Sequence, residues 1–222
     1  MASGRGEQLI RDLQTDPSKF SDEGLAYDLL KAYFEGLPVN TLRPLLSSNN
    51  SLVQRAAVYV ASELGSQAKD LVYDVIPLLD SEDRYLKYHA MEVLAVCCEG
   101  ERAKEFFHVV KVLESDDDVL RALAMRLVSR VDLSQIEGAR RIFDSRHQTH
   151  SHSLAILAEG KQVDPAIIIS MIHDVDPLIR RYGAIAAKRL IAEFPNLMKE
   201  MQSIDDPDLR NFLPSIVDAG TS

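Results

Sequence analysis

The chain has no tryptophan, and aromatic residues make up only 6% of its 222 residues. Tryptophan is a frequent anchor of protein interfaces, so any binding surface here must depend on other side chains. Positive charge is also scarce, because 25 Lys and Arg stand against 34 Asp and Glu and leave a net charge of −9. This balance repels nucleic acid and anionic membranes and predicts a basic protein partner.

Cysteine is nearly absent as well, since Cys97 and Cys98 are the only two and are adjacent. Neighbouring side chains on a helix diverge, so the sequence predicts no disulfide between them. That usage is typical of a reducing compartment. The sequence has no apolar signal region at its start and no apolar run of about 18 residues. We therefore expect a cytoplasmic protein with no membrane span.

Motifs for catalysis are missing too, because there is no glycine-rich phosphate loop and no evident Ser, His and Asp arrangement. The only histidine cluster is His147, His150 and His152. No cysteine lies close by to complete a zinc site and the segment is polar, so a solvated loop is favoured over metal binding. The sequence favours a protein that is not an enzyme and that needs no cofactor or metal.

What the chain does contain is a short repeated pattern: an apolar residue, a polar or basic one, two variable positions, then a small or apolar residue. The five copies are Val53-Gln54-x-x-Ala57, Leu86-Lys87-x-x-Ala90, Leu120-Arg121-x-x-Ala124, Ile179-Arg180-x-x-Gly183 and Leu209-Arg210-x-x-Leu213. The first three lie 33 and 34 residues apart. A fixed period of that size indicates stacked helical units.

Apolar residues recur at the helical period through most of the chain, and no segment alternates as a strand would. Each pattern copy opens the longer, inner helix of a predicted pair, and a shorter outer helix precedes it. The predicted inner helices cover residues 52–64, 84–99, 119–131, 177–194 and 208–217, and the outer ones include 39–47, 67–79, 102–114 and 165–173. Residues 146–152 form the least regular stretch and are predicted as a loop.

These features together resemble HEAT repeats. In that family the outer helix ends in a Leu-Leu pair, an acidic or Asp-Pro turn follows, and the inner helix opens with Val-Arg-x-x-Ala. The matching residues are Leu45-Leu46, Leu78-Leu79 and Val112-Leu113, the turns Asp176-Pro177 and Asp206-Pro207, and the five pattern copies. The repeats are shorter than the family's usual length of about 40 residues, and the fourth is degenerate.

The resemblance implies an all-α fold, a right-handed α-solenoid of about five HEAT-like helical pairs. We expect residues 1–38 to form an N-terminal helical cap and residues 39–218 one continuous array. It also implies that Arg121, Arg180 and Arg210 pair with turn aspartates of neighbouring units. The small residues Ala57, Ala90, Ala124 and Gly183 should mark close helix contacts.

In HEAT arrays the second helices line a concave surface, and the helical spacing predicts which of their residues face it. Tyrosine, methionine and arginine are enriched in protein interfaces and are well represented in this set. The predicted partner-binding residues are Arg55, Tyr59, Glu63, Tyr88, Met91, Glu92, Met125, Arg126, Arg181 and Lys188. The alternative is that some of them fill gaps between inner helices.

Acidic residues gather at the turns within pairs, which fall on one edge of a solenoid. This predicted acidic edge, formed by Asp83, Asp116, Asp117, Asp118 and Asp176, could steer a basic partner. The run of three aspartates equally fits helix capping, because carboxylates are favourable at a helix N-terminus. It lacks the alternation of a calcium loop.

The sequence thus favours a HEAT-repeat protein that binds another protein, with a monomer favoured. The sharpest hypothesis is a bacterial immunity protein that neutralises a basic, nuclease-type toxin. One alternative is a nucleic-acid-binding protein like the HEAT-like alkylpurine glycosylases, suggested by Arg180, Arg181, Lys188 and Arg189. Another is a HEAT-type chromophore lyase or assembly scaffold. Deoxyhypusine hydroxylases carry His-Glu dipeptides, which this sequence lacks.

Overall fold

The computed structural model describes residues 2–20, 23–143 and 147–212, and these residues are all-helical, with fourteen α-helices and no strand. In this part of the chain, no helix is long and apolar enough to cross a bilayer. The chain divides into two compact units, Met1–Glu99 and Gly100–Ser222. We refer to them as the N-terminal and C-terminal units.

The N-terminal unit is built around its two longest repeat helices. Its helices are α1 (Ala2–Thr15), α2 (Glu23–Phe34), α3 (Arg43–Leu46), α4 (Ser51–Glu63), α5 (Val72–Val75) and α6 (Arg84–Cys97). Helix α4 packs between α2 and α6, and α1 packs on α2. Helices α1 and α2, which belong to the predicted N-terminal cap, therefore contribute buried residues to the core of this unit.

The C-terminal unit is centred on α12. Its helices are α7 (Phe107–Lys111), α8 (Asp118–Val128), α9 (Leu133–Arg140), α10 (Gln148–Glu159), α11 (Pro165–Ile172), α12 (Pro177–Leu190), α13 (Asn196–Ser203) and α14 (Pro207–Phe212). Helix α12 contacts α8, α10, α11, α13 and α14, and its Tyr182 is fully buried. Helix α8 also packs directly on α14.

The inner helices begin where the sequence predicts, because their N-caps are encoded locally. Helices α4, α6, α8 and α12 start within one residue of the predicted positions. The side chains of Asn50, Asp83, Asp117 and Asp176 each accept a hydrogen bond from a backbone N–H of the first turn. A cap of this kind satisfies donors that the helix itself leaves unpaired.

The predicted outer helix 165–173 is confirmed as α11 (Pro165–Ile172), whereas the predicted outer helices 67–79 and 102–114 are not continuous α-helices. Residues 67–79 and 102–114 instead form single α-helical turns, α5 and α7, flanked by 3-10 helix. In the 3-10 helix that opens the second segment, the buried residues Ala103 and Phe106 lie three positions apart. That spacing matches the three residues per turn of a 3-10 helix.

The loop predicted at residues 146–152 is wrong from Gln148 onward, where α10 begins. His150 lies in the first turn of α10 and is buried. The last predicted helix, 208–217, is described only as far as Phe212, as α14. Leu213 lies outside the described residues, and so does the side chain of Arg210.

The small residues of the repeat lie at close contacts, as predicted. Ala57, Ala90 and Ala124 are fully buried. A Cβ on Gly183 would stand 2.7 Å from the backbone nitrogen of Ile172, so α11 and α12 meet backbone to backbone there. Both cysteines are buried without forming a disulfide, and the Cys97 thiol donates to the Gly65 carbonyl at 3.3 Å.

Candidate functional site

The polar second residue of the repeated pattern fastens the turn that precedes its own helix. In three copies its side chain donates to a backbone carbonyl of that turn. These bonds join Gln54 Nε2 to Leu46 O at 3.1 Å, Arg121 Nη1 to Ser115 O at 2.8 Å, and Arg180 Nη1 to Asp174 O at 2.9 Å. In these copies the pattern therefore encodes turn geometry.

The arginines also reach aspartates at the start of α14. Arg180 Nε donates to Asp206 Oδ2 at 2.8 Å, which confirms a pairing with the turn of the following unit. The other oxygen of Asp206 accepts from the backbone of Asp208 and caps α14. Arg121 pairs with Asp208, 87 residues away, because α8 packs directly on α14.

Asp208 accepts hydrogen bonds from two arginines, one of which is Arg181, a predicted partner contact. Arg121 Nη2 donates to its Oδ1 at 2.9 Å, and Arg181 Nε donates to its Oδ2 at 2.7 Å. Burial alone would raise the pKa of Asp208, but these hydrogen bonds and charges outweigh it and the pKa is lowered. Arg181 Nη1 also donates to the Leu113 carbonyl. Arg181, a predicted partner contact, thus uses its Nε and Nη1 donors inside the unit.

The prediction that Met91 and Met125 contact a partner is wrong, because both are fully buried. Each lies five residues after the first residue of its pattern copy. That position lies inside because α6 packs against α4, and α8 packs against α12 and α14. The alternative reading of the pattern, in which such residues fill gaps between helices, is right for these two.

The predicted acidic edge is used largely for capping. Asp83, Asp117 and Asp176 are the N-caps of α6, α8 and α12. Asp116 and Asp118 are exposed. The capping alternative is therefore confirmed for Asp117, and Asp116 and Asp118 are the members of the run with carboxylates open to solvent.

The N-terminal unit gathers three tyrosines around one histidine, which we call the tyrosine cluster: Tyr59, Tyr85, Tyr88 and His89. The ring centroids of the tyrosines lie 5.8, 4.4 and 5.4 Å from that of His89. Tyr59 comes from α4 and the other three residues come from α6, so the packing of these helices assembles the cluster.

The orientation of His89 is fixed by its hydrogen bonds. Its Nδ1 lies 3.0 Å from Ser62 Oγ and 3.0 Å from a carboxylate oxygen of Glu92. The Ser62 hydroxyl already donates to the Tyr59 carbonyl, and a carboxylate only accepts. We therefore assign the ring proton to Nδ1, which donates to the Ser62 oxygen and lies beside the Glu92 carboxylate.

Beside the cluster, Arg55 forms a two-point ion pair with Asp83. Its Nε and Nη2 donate to the two carboxylate oxygens at 2.6 and 3.0 Å. These bonds lower the pKa of Asp83 and raise that of Arg55. The guanidinium also lies 5.4 Å from the ring centroid of Tyr85. A pocket of about 130 Å³ opens here, lined by Phe20, Ala26, Leu52, Arg55, Ala56, Tyr59 and Tyr85.

The structure thus brings together four of the predicted concave-face residues, namely Arg55, Tyr59, Tyr88 and Glu92. It joins Arg55 to Asp83, which had been assigned to a separate edge. Glu63 is exposed at the end of α4. Arg126 and Lys188 belong to the C-terminal unit.

Sequence reasoning missed Tyr85 and His89 as members of this site. The spacing of these two residues could have indicated that they lie side by side, because residues four apart on a helix share a face. The N-cap at Asp83 fixes where α6 begins and hence which face that is.

The histidines of residues 147–152 do not share one environment. His147 and His152 are exposed, whereas His150 is buried, with Nδ1 2.6 Å from the Tyr182 hydroxyl. Its Nε2 lies 3.4 Å from a Glu114 oxygen, without the alignment of a hydrogen bond. Burial lowers the pKa of His150, although Glu114 opposes this. Among the described residues, no group of three His, Cys, Asp or Glu could hold a metal ion.

Comparisons with known proteins do not assign a function to this site. No family model matches the chain. No curated protein matches it. Among solved structures, the chain is similar to a crystal structure of an engineered protein, with 17% identity and a TM-score of 0.49 over 94% of this chain and 93% of that one. A likeness that weak indicates nothing about function.

Proposed function

We propose that this chain is a cytoplasmic HEAT-like module that binds a basic protein and has no catalytic role. More specifically, we propose a bacterial immunity protein that neutralises a nuclease-type toxin. The observation that carries the proposal is the position of Arg55, whose guanidinium lies over the Tyr85 ring and on the Asp83 carboxylate. At this surface, the N-terminal unit thus already binds one cationic side chain of its own, through an aromatic ring and a carboxylate.

A second set of groups of the same kind lies one helical turn along α6. Tyr88, His89 and the half-buried Glu92 offer an aromatic face beside a carboxylate. An arginine or lysine of a partner would gain about 0.5–2 kcal/mol from such a ring, depending on how far it is desolvated. We therefore place the partner's basic side chains against Tyr88 and Glu92.

The distribution of charge supports the same assignment. Residues 1–99 contain 9 Lys and Arg against 15 Asp and Glu, a net charge of −6. Residues 100–222 contain 16 against 19, a net charge of −3. The unit with the tyrosine cluster is thus the more acidic one, and its field would speed the approach of a basic partner.

The solenoid arrangement is part of this proposal. Its support is local: the period of 33 and 34 residues, the buried small residues of the pattern and the Arg180–Asp206 pair. Arg180, Arg181 and Arg189 are engaged in hydrogen bonds within the C-terminal unit, so they do not favour the nucleic-acid alternative.

The test is affinity capture from the source cells with the wild type and with Tyr88→Ala. We expect the wild type to retain one basic protein in equal amount, and the variant to lose most of it. Tyr73→Ala is the matched control, because Tyr73 is 57% exposed on α5 of the same unit and outside the cluster. The control should capture as the wild type does.

The inhibitor function is tested by expressing the captured partner with and without this chain. Growth that depends on the chain, and that fails with Tyr88→Ala, is the expected result. A partner that is harmless when expressed alone would contradict the immunity function and leave only protein binding. A pigment or an acidic protein in the eluate, or equal loss in both variants, would contradict the proposal as a whole.

A further inference from the structure

Three basic side chains of the C-terminal unit come from the packed helices α8 and α12 and from the turn after α8, and none of them forms an ion pair among the described residues. They are Arg126 on α8, Arg130 in the turn that follows α8, and Lys188 on α12, and we call them the cationic cluster. Other exposed cations, such as Lys161 and Arg141, form ion pairs with Glu193 and Glu137. The cationic cluster is therefore unusual in a chain with net charge −9.

The packing of α12 on α8 fixes this grouping. Arg189, next to Lys188, donates to the carbonyls of Val128 and Val131 at 3.2 and 2.9 Å. Those two carbonyls bracket Arg130 in the sequence. Lys188 Nζ lies 4.2 Å from the ring centroid of the buried Phe212, so its ammonium group is held against the unit by a cation–π contact.

The neighbouring positive charges affect the pKa of Lys188. Burial lowers its pKa first, and the charges of Arg130 and Arg126 lower it further. The C-terminus of α8 attracts cations, but the carbonyl of its last residue, Val128, is occupied by the Arg189 guanidinium. Asp132 acts on Arg189, and no acidic side chain in the part of the chain that the structure describes forms an ion pair with the other three.

We infer that Arg126, Arg130 and Lys188 form a binding site for a phosphoryl group. Two guanidinium groups four residues apart can each present a fork of N–H donors, and lysine adds a compact charge. A phosphate monoester carries a charge of about −1.5 to −2 at pH 7. It therefore neutralises more of the charge of three cations than one carboxylate does. This site is separate from the tyrosine cluster and does not depend on the proposed function.

The experiment measures binding of two probes to the full chain in low-salt buffer. One probe is inorganic pyrophosphate, followed by calorimetry, and the other is a fluorescent single-stranded oligonucleotide, followed by anisotropy. We expect Arg126→Gln/Lys188→Gln to weaken binding by about tenfold or more, because charge-assisted contacts are lost. Pyrophosphate binding alone would identify a small phosphorylated ligand, and tighter oligonucleotide binding would identify a nucleic-acid backbone.

Arg141→Gln/Lys199→Gln is the control, since it removes the same charge from exposed positions of the same unit. It should bind both probes as the wild type does. Without ligand, the Arg126→Gln/Lys188→Gln variant should keep the helical circular dichroism of the wild type, which shows that it is folded. The inference is overturned if neither probe binds at millimolar concentration, or if the control loses as much affinity as the folded cluster variant.

Discussion

Gly183 is the residue at which two helices of the C-terminal unit meet without a side chain between them. A Cβ there would lie 2.7 Å from Ile172 N and 2.9 Å from the Met171 carbonyl carbon, and backbone atoms cannot move aside as a flexible side chain can. The fourth copy of the repeated pattern ends in glycine where earlier copies have alanine, and this contact is the reason.

Gly183→Ala should therefore lower the free energy of unfolding by about 3 kcal/mol, at the upper end of the usual cost of overpacking. The measurement is urea denaturation followed by circular dichroism. Gly4→Ala is the matched control, because a Cβ there meets nothing within 4 Å and the residue lies in α1. It should be neutral or stabilise by up to about 1 kcal/mol. Equal losses in both variants would contradict the close-contact explanation.

His150 makes stability depend on pH near neutrality. Burial lowers its pKa in the folded state, and His147 and Lys111 act in the same direction against Glu114. The unfolded chain then binds more protons below its ordinary pKa of about 6.5. The stabilising contribution is thus complete above that pH and is lost as the pH falls toward the folded pKa.

The melting temperature of the wild type should fall between pH 7.5 and pH 5, and His150→Phe should show a smaller fall. The exposed His152, two residues along, supplies the control His152→Gln, which should keep the wild-type dependence. An unchanged pH dependence in His150→Phe would show that another group is responsible. Since the Tyr182 hydroxyl loses its partner, we also expect the variant to be less stable at every pH.

At the scale of the helices, the N-caps are the features that the sequence predicts best. An Asp or Asn followed by an apolar helical pattern is a local signal, and it placed the starts of α4, α6, α8 and α12 within one residue. The breaks in the outer helices 67–79 and 102–114 were not predictable in this way, because 3-10 and α-helical turns alternate there according to which side chains tertiary packing buries. The burial of Met91 and Met125 has the same non-local cause.

The candidate site was predictable only in part for a similar reason. Helical phase selected Arg55, Tyr59, Tyr88 and Glu92 correctly as neighbours in space. That Asp83 would accept Arg55 depends on the packing of α4 against α6, which no spacing within one helix encodes.

Asp206 combines two functions, because one oxygen caps α14 and the other holds Arg180 of α12. Asp206→Ala should lower the free energy of unfolding by about 3 kcal/mol, from the lost cap and the lost charge-assisted bond. Asp164→Ala is the control, since Asp164 caps α11 through Ala166 N. That change should cost only about 1 kcal/mol.

Chemical denaturation of the two variants measures the difference. A cost for Asp206→Ala no larger than that for Asp164→Ala would mean that the ion pair contributes nothing. Asp206→Asn should fall between the wild type and the alanine variant, because an amide oxygen can still cap while the charge is lost.

For the molecule as a whole, the uneven charge predicts where a cation binds. A hexa-arginine peptide should bind the chain, and its dissociation constant should rise by about tenfold or more as salt screens the acidic N-terminal unit. Tyr88→Ala should weaken the binding and Tyr73→Ala should not. Fluorescence anisotropy of the labelled peptide measures both effects, with hexa-glutamate as the negative control. Tight hexa-glutamate binding, or binding that salt leaves unchanged, would contradict this electrostatic picture.

The contact between Arg121 and Asp208 spans 87 residues, whereas that between Arg55 and Asp83 spans 28. During synthesis, the N-terminal unit can complete its ion pair as soon as residue 83 has left the ribosome. The C-terminal unit cannot, because Arg121 of α8 can pair with Asp208 only after α14 has been synthesised. Long-range contacts of this kind form late and slowly. The two units should therefore mature in order, with the tyrosine cluster assembled first.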